Sequence, residues 1–495
     1  MSSAWDIPRP RPYARIRGGG GPFEPRRRAP PVRPERPPLI EPGDANATSA
    51  RLGGVAIDLD GVFAFALFTP MLFIAQLTTL GAAIVAGLAP LYLFLRRGGL
   101  GRTLLPRAFL FAVPALALAS VAWSRAPGES FRMACELLVT VTIGVLLSSA
   151  HSQQAVLRGL GAAFLLYIVV ALGFGGRVAI GVGAGGEAFA GLNGSKNLLA
   201  DIASTGLIVS AVVVMMALQT RSWLWALLGA SAIALDLFAV AAARSAGALL
   251  GLGMAVVAIV GLTPLVFAGR VLRTWFTSVV ALLLLAVGLS YQSLAGAMIQ
   301  AGATLFDKDP TLTGRTYLWY RAADLIHEAP LLGRGYQAFW LQGNTDAEGL
   351  WRYFGIQERG GFTFHNTLVE ILVTLGWVGV AVIGATVLIG VVALVRRFVM
   401  RPNLALVFWI AILLYQLART PIEAIGIAPL YFSTVLCFAA LGAAFGRVRA
   451  PQMQAAPPRP FRELQVVTVD GRPAAAVAAE RGGLQRLRPE AEPAP

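Results

Sequence analysis

Long apolar stretches alternate with short segments rich in arginine and glycine along most of this chain. A stretch of about 20 apolar residues is long enough to cross a bilayer as one helix. The run from Val62 to Leu95 is too long for one such helix and is interrupted near Thr78 and Gly81, so it predicts two helices. We therefore predict an all-α polytopic membrane protein with about twelve transmembrane helices. The predicted spans are 62–77, 80–95, 108–123, 132–149, 155–174, 197–218, 223–242, 246–267, 274–291, 366–395, 404–419 and 424–445.

The amino-acid composition agrees with a membrane protein. Hydrophobic residues make up 56% of the chain and charged residues 14%, which is more apolar surface than a soluble domain can bury. The net charge of +15 would favour nucleic acid if the basic residues formed one patch. They lie instead in the N-terminal tail and in short connections between spans, as topology determinants do. We predict no nucleic-acid binding.

The distribution of arginine predicts the orientation and the division of the chain. The connection after each even-numbered span is basic, for example at Arg96, Arg158 and Arg221. The positive-inside rule then places these connections and both termini in the cytoplasm. The predicted parts are a disordered basic tail (1–53), transmembrane helices one to nine (54–291), a loop on the far side with interfacial helices (292–365), the last three helices (366–446) and a second disordered tail (447–495).

The interval from Gly302 to Glu370 is a long polar stretch inside the apolar part of the chain. Its segment TYLWYRAADLIHEA predicts an amphipathic helix that ends before Pro330. The aromatic residues of this interval favour a helix that lies on the outer leaflet. Trp340 and Trp351 have an alternative use, which is to stack on sugar rings.

His365 lies where this loop returns to the membrane, and Asn366 and Glu370 follow it. A histidine at a membrane–water boundary can accept a proton near neutral pH, so His365 is a candidate general base. The alternative is a structural histidine that caps the next helix.

Cations on the far side of the membrane do not help to orient the chain, so some are candidates for binding an anion. Arg315, Arg334 and Arg419 belong to this group. Arg244 lies between two apolar spans with almost no loop, where a charge is costly unless it is paired or functional. Its side chain either extends to the interface or binds phosphate through its planar guanidinium.

Lys196 and Asn197 begin a span after a glycine-rich segment, and either Asn193 or Ser195 is placed to cap that helix. Backbone amides at a helix start favour an anion, and Lys196 would add charge. Asp201, one turn further, would pair with Lys196 or face the interior of the bundle.

Candidate metal ligands are sparse. There is no Cys-x-x-Cys motif and no His/Cys cluster, so we predict neither a metal site nor a cofactor. No pair of carboxylates stands out in the polar loop, which argues against a hydrolase of the two-carboxylate kind.

Four stretches together resemble the O-antigen ligase/polymerase superfamily, and within it the exopolysaccharide polymerases of the ExoQ type. They are SVAWSRAPGESFRMA (120–134), GLNGSKNLLAD (191–201), GRTYLWYRAADLIHEAPLLGRGYQAFW (314–340) and HNTLVEILVTLGWVGV (365–380). One position departs from the family pattern: relatives often have histidine directly before Lys-Asn, and here that residue is Ser195. If that histidine selects the acceptor in relatives, the resemblance does not indicate which acceptor this chain uses.

The resemblance implies a metal-independent membrane glycosyltransferase of the C type in the bacterial inner membrane. Its donor would be an oligosaccharide on undecaprenyl diphosphate at the periplasmic face. Arg244 and Arg315, helped by Lys196, would hold the diphosphate, and His365 would orient or deprotonate the acceptor hydroxyl. The other candidate substrate-binding residues are Asn197, Arg334, Trp340, Asn366 and Glu370.

The implied partners are the lipid-linked donor, the glycan acceptor and the bilayer, with a chain-length regulator and a flippase of the same pathway as further candidates. Two alternatives stay open. One is an O-antigen ligase that transfers glycan to lipid A–core. The other is a polysaccharide or lipid transporter of twelve helices. Transporters often contain repeats, whereas the two halves of this chain show no similarity to each other, which argues against a transporter.

Overall fold

The structure is a computed structural model that describes residues 49–52, 55–97, 100–181, 184–289, 314–357, 359 and 362–445. The predicted C-terminal tail and most of the predicted N-terminal tail lie outside these residues. The predictions made for residues 290–313 also lie outside them.

The described part is built from α-helices. They are α1 (Leu59–Leu72), α2 (Ile74–Leu95), α3 (Leu100–Leu104), α4 (Ala112–Ala119), α5 (Pro127–Ser148), α6 (Gln153–Phe174), α7 (Lys196–Gln219), α8 (Trp223–Ala243), α9 (Ala246–Phe267), α10 (Arg270–Leu289), α11 (Arg315–Glu328), α12 (Thr345–Tyr353), α13 (Thr367–Met400), α14 (Leu404–Arg419) and α15 (Phe432–Ala443). Short 3₁₀ segments, Leu105–Phe111 and Ser120–Ala122, flank α4.

Length and composition identify the membrane-spanning helices. Within the described residues, eight helical segments are long and apolar enough to cross a membrane: α2, the run Leu100–Ala122, α5, α6, α7, α8, α9 and α13. Three shorter apolar helices, α1, α14 and α15, accompany them. The polytopic all-α class is therefore confirmed, whereas the number twelve stays a prediction.

The predicted interruption of the run 62–95 is confirmed at Thr78, whose φ of 47° kinks α2, and a further break that was not predicted falls at Phe73. The start of the last predicted span is wrong. The last predicted span, 424–445, is helical only from Phe432 to Ala443. Residues 420–431 form a loop instead, because Pro421, Pro429 and Gly426 do not continue a helix.

Two antiparallel hairpins interrupt the all-helical pattern, and neither was predicted. Ser49–Leu52 (β1) pairs with Val55–Asp58 (β2), so part of the segment expected to be disordered is a strand. Gly176–Gly181 (β3) pairs with Ala184–Gly191 (β4) in the connection between α6 and α7.

Arginines tie the helices together at one end of the bundle. Arg96 donates to the carbonyls of Leu146 (2.7 Å) and Ser149 (2.6 Å) at the end of α5. Arg107 donates to a carbonyl of α15 at 3.0 Å, and Arg273 donates to one of α13 at 2.9 Å. Cations are favourable at helix C-termini, where carbonyls lack partners. We call this the arginine-rich end, and its arginines hold the ends of neighbouring helices together.

Residues 314–364, which we call the cap, contain a second hydrophobic core that includes α11 and α12. Leu318, Ala322 and Leu325 of α11 are buried, as the amphipathic pattern predicted. The expectation of aromatic residues lying on the membrane surface is wrong for Trp351, which is 1% exposed. Trp340 packs against Trp351 and the neighbouring phenylalanines. The cap therefore buries its apolar residues largely against one another.

A break in α13 fastens the cap to the membrane helices. Gly376 has φ 62° and ψ −162°, so the backbone around it leaves the helical hydrogen-bond pattern. Backbone hydrogen bonds of 2.9–3.1 Å join the turn 330–335 of the cap to residues 373–378. A Cβ at Gly376 would lie 2.3 Å from the carbonyl oxygen of Leu331. The turn satisfies backbone groups that a broken membrane helix would otherwise leave without partners.

Candidate functional site

Several helix ends meet at the end of the bundle opposite the arginine-rich end. The hydroxyl of Ser245, at the start of α9, donates to the side-chain oxygen of Asn197 on α7 at 3.0 Å. The amide of Thr367, at the start of α13, donates to the carbonyl of Thr420 after α14 at 2.9 Å. These contacts bring together segments that are far apart in the sequence, and the charged residues of the site lie on or next to these segments.

Glu423 is the centre of this site. Its Oε2 lies 3.2 Å from Nδ1 of His365, and its Oε1 lies 3.6 Å from Nη2 of Arg315. The three side chains are 18–26% exposed, so they reach solvent from a mostly enclosed position. The sequence pattern did not indicate Glu423 as a site residue, because Glu423 lies directly before the span predicted from residue 424. The signal available was the pair of prolines, Pro421 and Pro429, around it.

The charges of this cluster support one another. Burial alone would raise the pKa of the Glu423 carboxyl, but the hydrogen bond from His365 and the charges of His365, Arg315 and Arg419 hold that pKa below its usual range. Burial lowers the pKa of the Arg315 guanidinium, and the charge of Glu423 opposes that shift. Glu423 is therefore a carboxylate that accepts a hydrogen bond from His365 and forms an ion pair with Arg315.

The backbone on both sides of His365 is fixed by hydrogen bonds. His365 itself has a φ of 50°, an uncommon conformation for a residue with a side chain. The amide of Phe364 donates to Glu370 and its carbonyl accepts from Trp319, each at 2.8 Å. Asn366 caps α13 by accepting from two backbone amides. Glu370 and Asn366 thus position His365, and direct substrate binding by them stays a prediction.

A buried ion pair supports the loop that carries Glu423. Arg419 bonds to the carboxylate of Asp201, and the two side chains are 5% and 2% exposed. Tyr415 and Tyr431 also donate to Asp201, at 2.8 and 3.0 Å. Asp201 therefore faces the bundle interior, one of its two predicted positions. Arg419 lies at the same end of the bundle as Glu423, as its predicted side requires, but it is buried against Asp201 and is therefore not an accessible cation for an anion.

Arg244 occupies the tight turn between α8 and α9. Its side chain is exposed, and its backbone is left-handed with φ 49° and ψ 44°. A Cβ at Gly247, three residues later, would lie 2.8 Å from Cδ1 of Ile422, the neighbour of Glu423. The structure therefore packs the turn after Arg244 against the loop that carries Glu423.

Lys196 is the first residue of α7, next to Asn197. Of the two predicted caps, Ser195 is the one observed, because its side chain accepts from the amide of Leu198. Asn193 donates instead to the carbonyl of Leu72, at 3.2 Å. This helix start therefore lies at the same end of the bundle as the turn at Arg244.

Arg334 and Trp340 are part of the cap interior. The Arg334 side chain is 2% exposed and pairs with Glu328 at 2.5 Å and Asp346 at 3.4 Å. This pairing favours a structural role, and substrate binding by Arg334 stays a prediction. The burial of Trp351 excludes it as an exposed platform for a sugar ring, whereas Trp340 is half-buried.

Among the described residues, no three His, Cys, Asp or Glu side chains lie close enough together to hold a metal ion. Independence from metal stays a prediction.

The described fold and site define a polytopic membrane protein with a cluster of charged residues at one end of its helices. The O-antigen ligase family matches residues 231–384. The chain is also 30% identical over 327 residues to the exopolysaccharide production protein ExoQ of Rhizobium meliloti (strain 1021), which covers 64% of this chain and 72% of ExoQ. The chain belongs to the O-antigen ligase/polymerase superfamily, and within it is ExoQ-like.

Family membership gives the chain a role of the exopolysaccharide-polymerase or O-antigen-ligase kind, with lipid-linked glycans as substrates. The segment that matches the O-antigen ligase family contains Arg244, Arg315 and His365. Lys196 and Glu423 lie outside that segment, and the tertiary structure brings Glu423 to it.

Proposed function

We propose that this protein is a polysaccharide polymerase of the bacterial inner membrane. It joins repeat units linked to undecaprenyl diphosphate at the periplasmic face. The observation that carries the proposal is that Glu423 holds both His365 and Arg315, at the end of the bundle where the turn of Arg244 also lies. The similarity to a protein of exopolysaccharide production supports a polymer as the product.

In the proposed reaction His365 is the general base. Glu423 is a carboxylate and can only accept a hydrogen bond, so we assign a proton to Nδ1 of His365. Nε2 then carries the lone pair that accepts the proton of the acceptor hydroxyl. As the imidazole gains this proton, the negative charge of Glu423 stabilises it.

Arginines stabilise the departing group. The acceptor oxygen forms a bond to the anomeric carbon of the donor while the bond from that carbon to the diphosphate oxygen breaks. The electron pair leaves with the diphosphate, and the hydroxyl proton moves to His365. Arg244 and Arg315, with Lys196, bind the added negative charge. Arg315 has five N–H donors, so its contact with Glu423 leaves others for phosphate.

The proposed orientation follows from charge. Arg96, Arg107, Arg158 and Arg273 lie at the arginine-rich end, which the positive-inside rule assigns to the cytoplasm. The site at the opposite end then faces the periplasm, where lipid-linked repeat units are joined, and both termini are cytoplasmic. A chain-length regulator and a flippase of the same pathway are the proposed protein partners.

The test is elongation of a defined lipid-linked repeat unit by the purified full chain in proteoliposomes. We expect a ladder of products, with and without a chelator of divalent cations. His365→Ala and Arg244→Ala should abolish the ladder, whereas Glu348→Gln, which removes an exposed contact with Arg359, should not. Ladders of normal length and yield from the first two variants would refute the site assignment.

An O-antigen ligase is the second candidate, because the family that matches residues 231–384 carries that description. Adding lipid A–core to the same reaction separates the two functions. Transfer of single repeat units to lipid A–core, without any ladder, would show that the protein is a ligase and not a polymerase. A transporter would instead move labelled repeat units across the liposome without joining them.

A further inference from the structure

A cavity opens between α6, α7 and α8, in the half of these helices nearest the arginine-rich end. Its volume is about 220 Å³, and its lining is almost entirely apolar. Small residues on two helices, Gly161 and Ala162 on α6 and Gly229 and Ala232 on α8, create the depression. A cavity of about 150 Å³ already holds a benzene ring, so this one has room for part of a hydrocarbon chain.

A positively charged side chain, Arg158, lies at one end of this cavity. The guanidinium of Arg158 lies over the ring of Trp225, 5.3 Å from its centroid, and Trp225 also lines the cavity. Arg158 donates to the hydroxyl of Ser222 at 3.3 Å. Arg221, exposed in the same turn, adds a second positive charge.

Acidic residues are absent from the helix segments that line this end of the cavity, since neither residues 152–166 nor residues 213–232 contain Asp or Glu. Asp60, which contacts the start of α6, already accepts from the amides of His151 and Ser152 and from the hydroxyl of Tyr92. A half-buried cation held between a hydroxyl and an indole keeps donors available for an anion. An apolar cavity that ends at such a cation fits a molecule with a hydrocarbon chain and an anionic head.

We propose that this cavity binds one acyl chain of an anionic glycerophospholipid, with the lipid phosphate against Arg158. The site lies at the opposite end of the bundle from His365 and Glu423, and it is separate from the proposed reaction. The bound lipid would join α6, α7 and α8 and so raise the stability of the helices that carry Lys196 and Arg244 at their other ends. Anionic lipids of the leaflet at the arginine-rich end are the source.

The first experiment uses fluorescence of the full chain in phosphatidylcholine nanodiscs doped with lipids brominated on the acyl chain. Bromine quenches tryptophan on contact, so Trp225→Phe isolates the signal from the cavity. We expect brominated phosphatidylglycerol to quench the Trp225 signal at lower mole fraction than brominated phosphatidylcholine does. Equal quenching by the two lipids would overturn the proposal.

Two pairs of variants test the lipid headgroup separately from the lipid acyl chain. Arg158→Gln should weaken phosphatidylglycerol binding by about fivefold, since one cation near the surface contributes about that factor. Arg270→Gln, an exposed arginine at the same end, is the matched control and should change it little. Ala162→Phe fills the cavity and should abolish the preference, whereas Ala230→Phe on the exposed face of α8 should not.

Thermal unfolding in detergent gives a second measurement, which does not depend on quenching. Added phosphatidylglycerol should raise the Tm of the wild type more than phosphatidylcholine does, and Ala162→Phe should remove the difference. If undecaprenyl phosphate protects and phosphatidylglycerol does not, the occupant is the polyprenyl lipid and the proposal is wrong. Identical Tm shifts in wild type and Ala162→Phe would also refute it.

Discussion

The Nδ1 atom of His365 lies 3.2 Å from Oε2 of Glu423, across 58 positions of sequence. The same carboxylate reaches Arg315 through its other oxygen, at 3.6 Å. One acidic side chain therefore fixes both the candidate base and a candidate phosphate-binding cation.

Glu423→Gln should reduce polymerisation by about 100-fold or more, the usual contribution of an oriented general base. Glutamine keeps the shape of the side chain but removes the charge that stabilises a protonated His365. The loss should appear in kcat rather than in KM, measured with a defined lipid-linked repeat unit. Glu348→Gln is the control, and equal rates for both variants would contradict the role of Glu423.

Acid should destabilise the wild type more than Glu423→Gln. The pKa of Glu423 is lowered in the folded state, so its stabilisation is fully present above the ordinary value of 4.5 and is lost as pH falls through the lower folded-state pKa. Thermal unfolding from pH 7 to pH 3 should show this as a Tm difference between the two proteins that shrinks below about pH 4.5. A constant Tm difference would show that the charge of Glu423 contributes no stability.

Arg315→Lys should lower activity although it keeps the positive charge. Lysine carries a point charge and cannot contact Glu423 and a diphosphate at once with a planar fork. We expect a loss of about tenfold or more in kcat/KM, assayed as product ladders. Arg321→Lys changes an exposed arginine on the same helix and should have wild-type activity.

Asp201→Asn should destabilise the protein by about 3–5 kcal/mol, because it leaves Arg419 buried without its charged partner. Asp324→Asn breaks an exposed pair with Arg321, and its effect should stay below about 1 kcal/mol. Unfolding in detergent compares the two variants. Similar Tm values for both would show that the buried pair does not stabilise the loop of Glu423.

Gly376→Ala should release the cap from α13. The added Cβ would meet the carbonyl of Leu331 at 2.3 Å, and alanine strains a φ of 62°. We expect faster proteolysis of the cap and loss of activity. Gly384→Ala, in the same helix with no atom within 4 Å of its Cβ, should behave as wild type. Equal protease sensitivity would show that the break at Gly376 is not what holds the cap.

The sequence predicted much of the membrane fold and the position of one candidate site residue along the chain. Apolar runs of bilayer length identified the long helices, because a hydrocarbon environment restricts composition more than water does. The approximate position of His365 at a helix start also followed from the polar segment before it, and Ser195 and Pro330 gave correct helix ends. These features depend on residues close together in the chain.

Tertiary structure alone decided which charges meet. Glu423 lies directly before the span predicted from residue 424, and only the folded chain shows that residues 420–431 form a loop that places Glu423 beside His365. Arg419 and Arg334 were predicted as cations accessible from the outer side, but each is buried and paired with a carboxylate, Asp201 in one case and Glu328 in the other. The sequence by itself determined which long segments are apolar enough to cross a membrane, since that depends on local composition. The pairing of buried charges depends on contacts between distant segments, and only the folded chain brings those segments together.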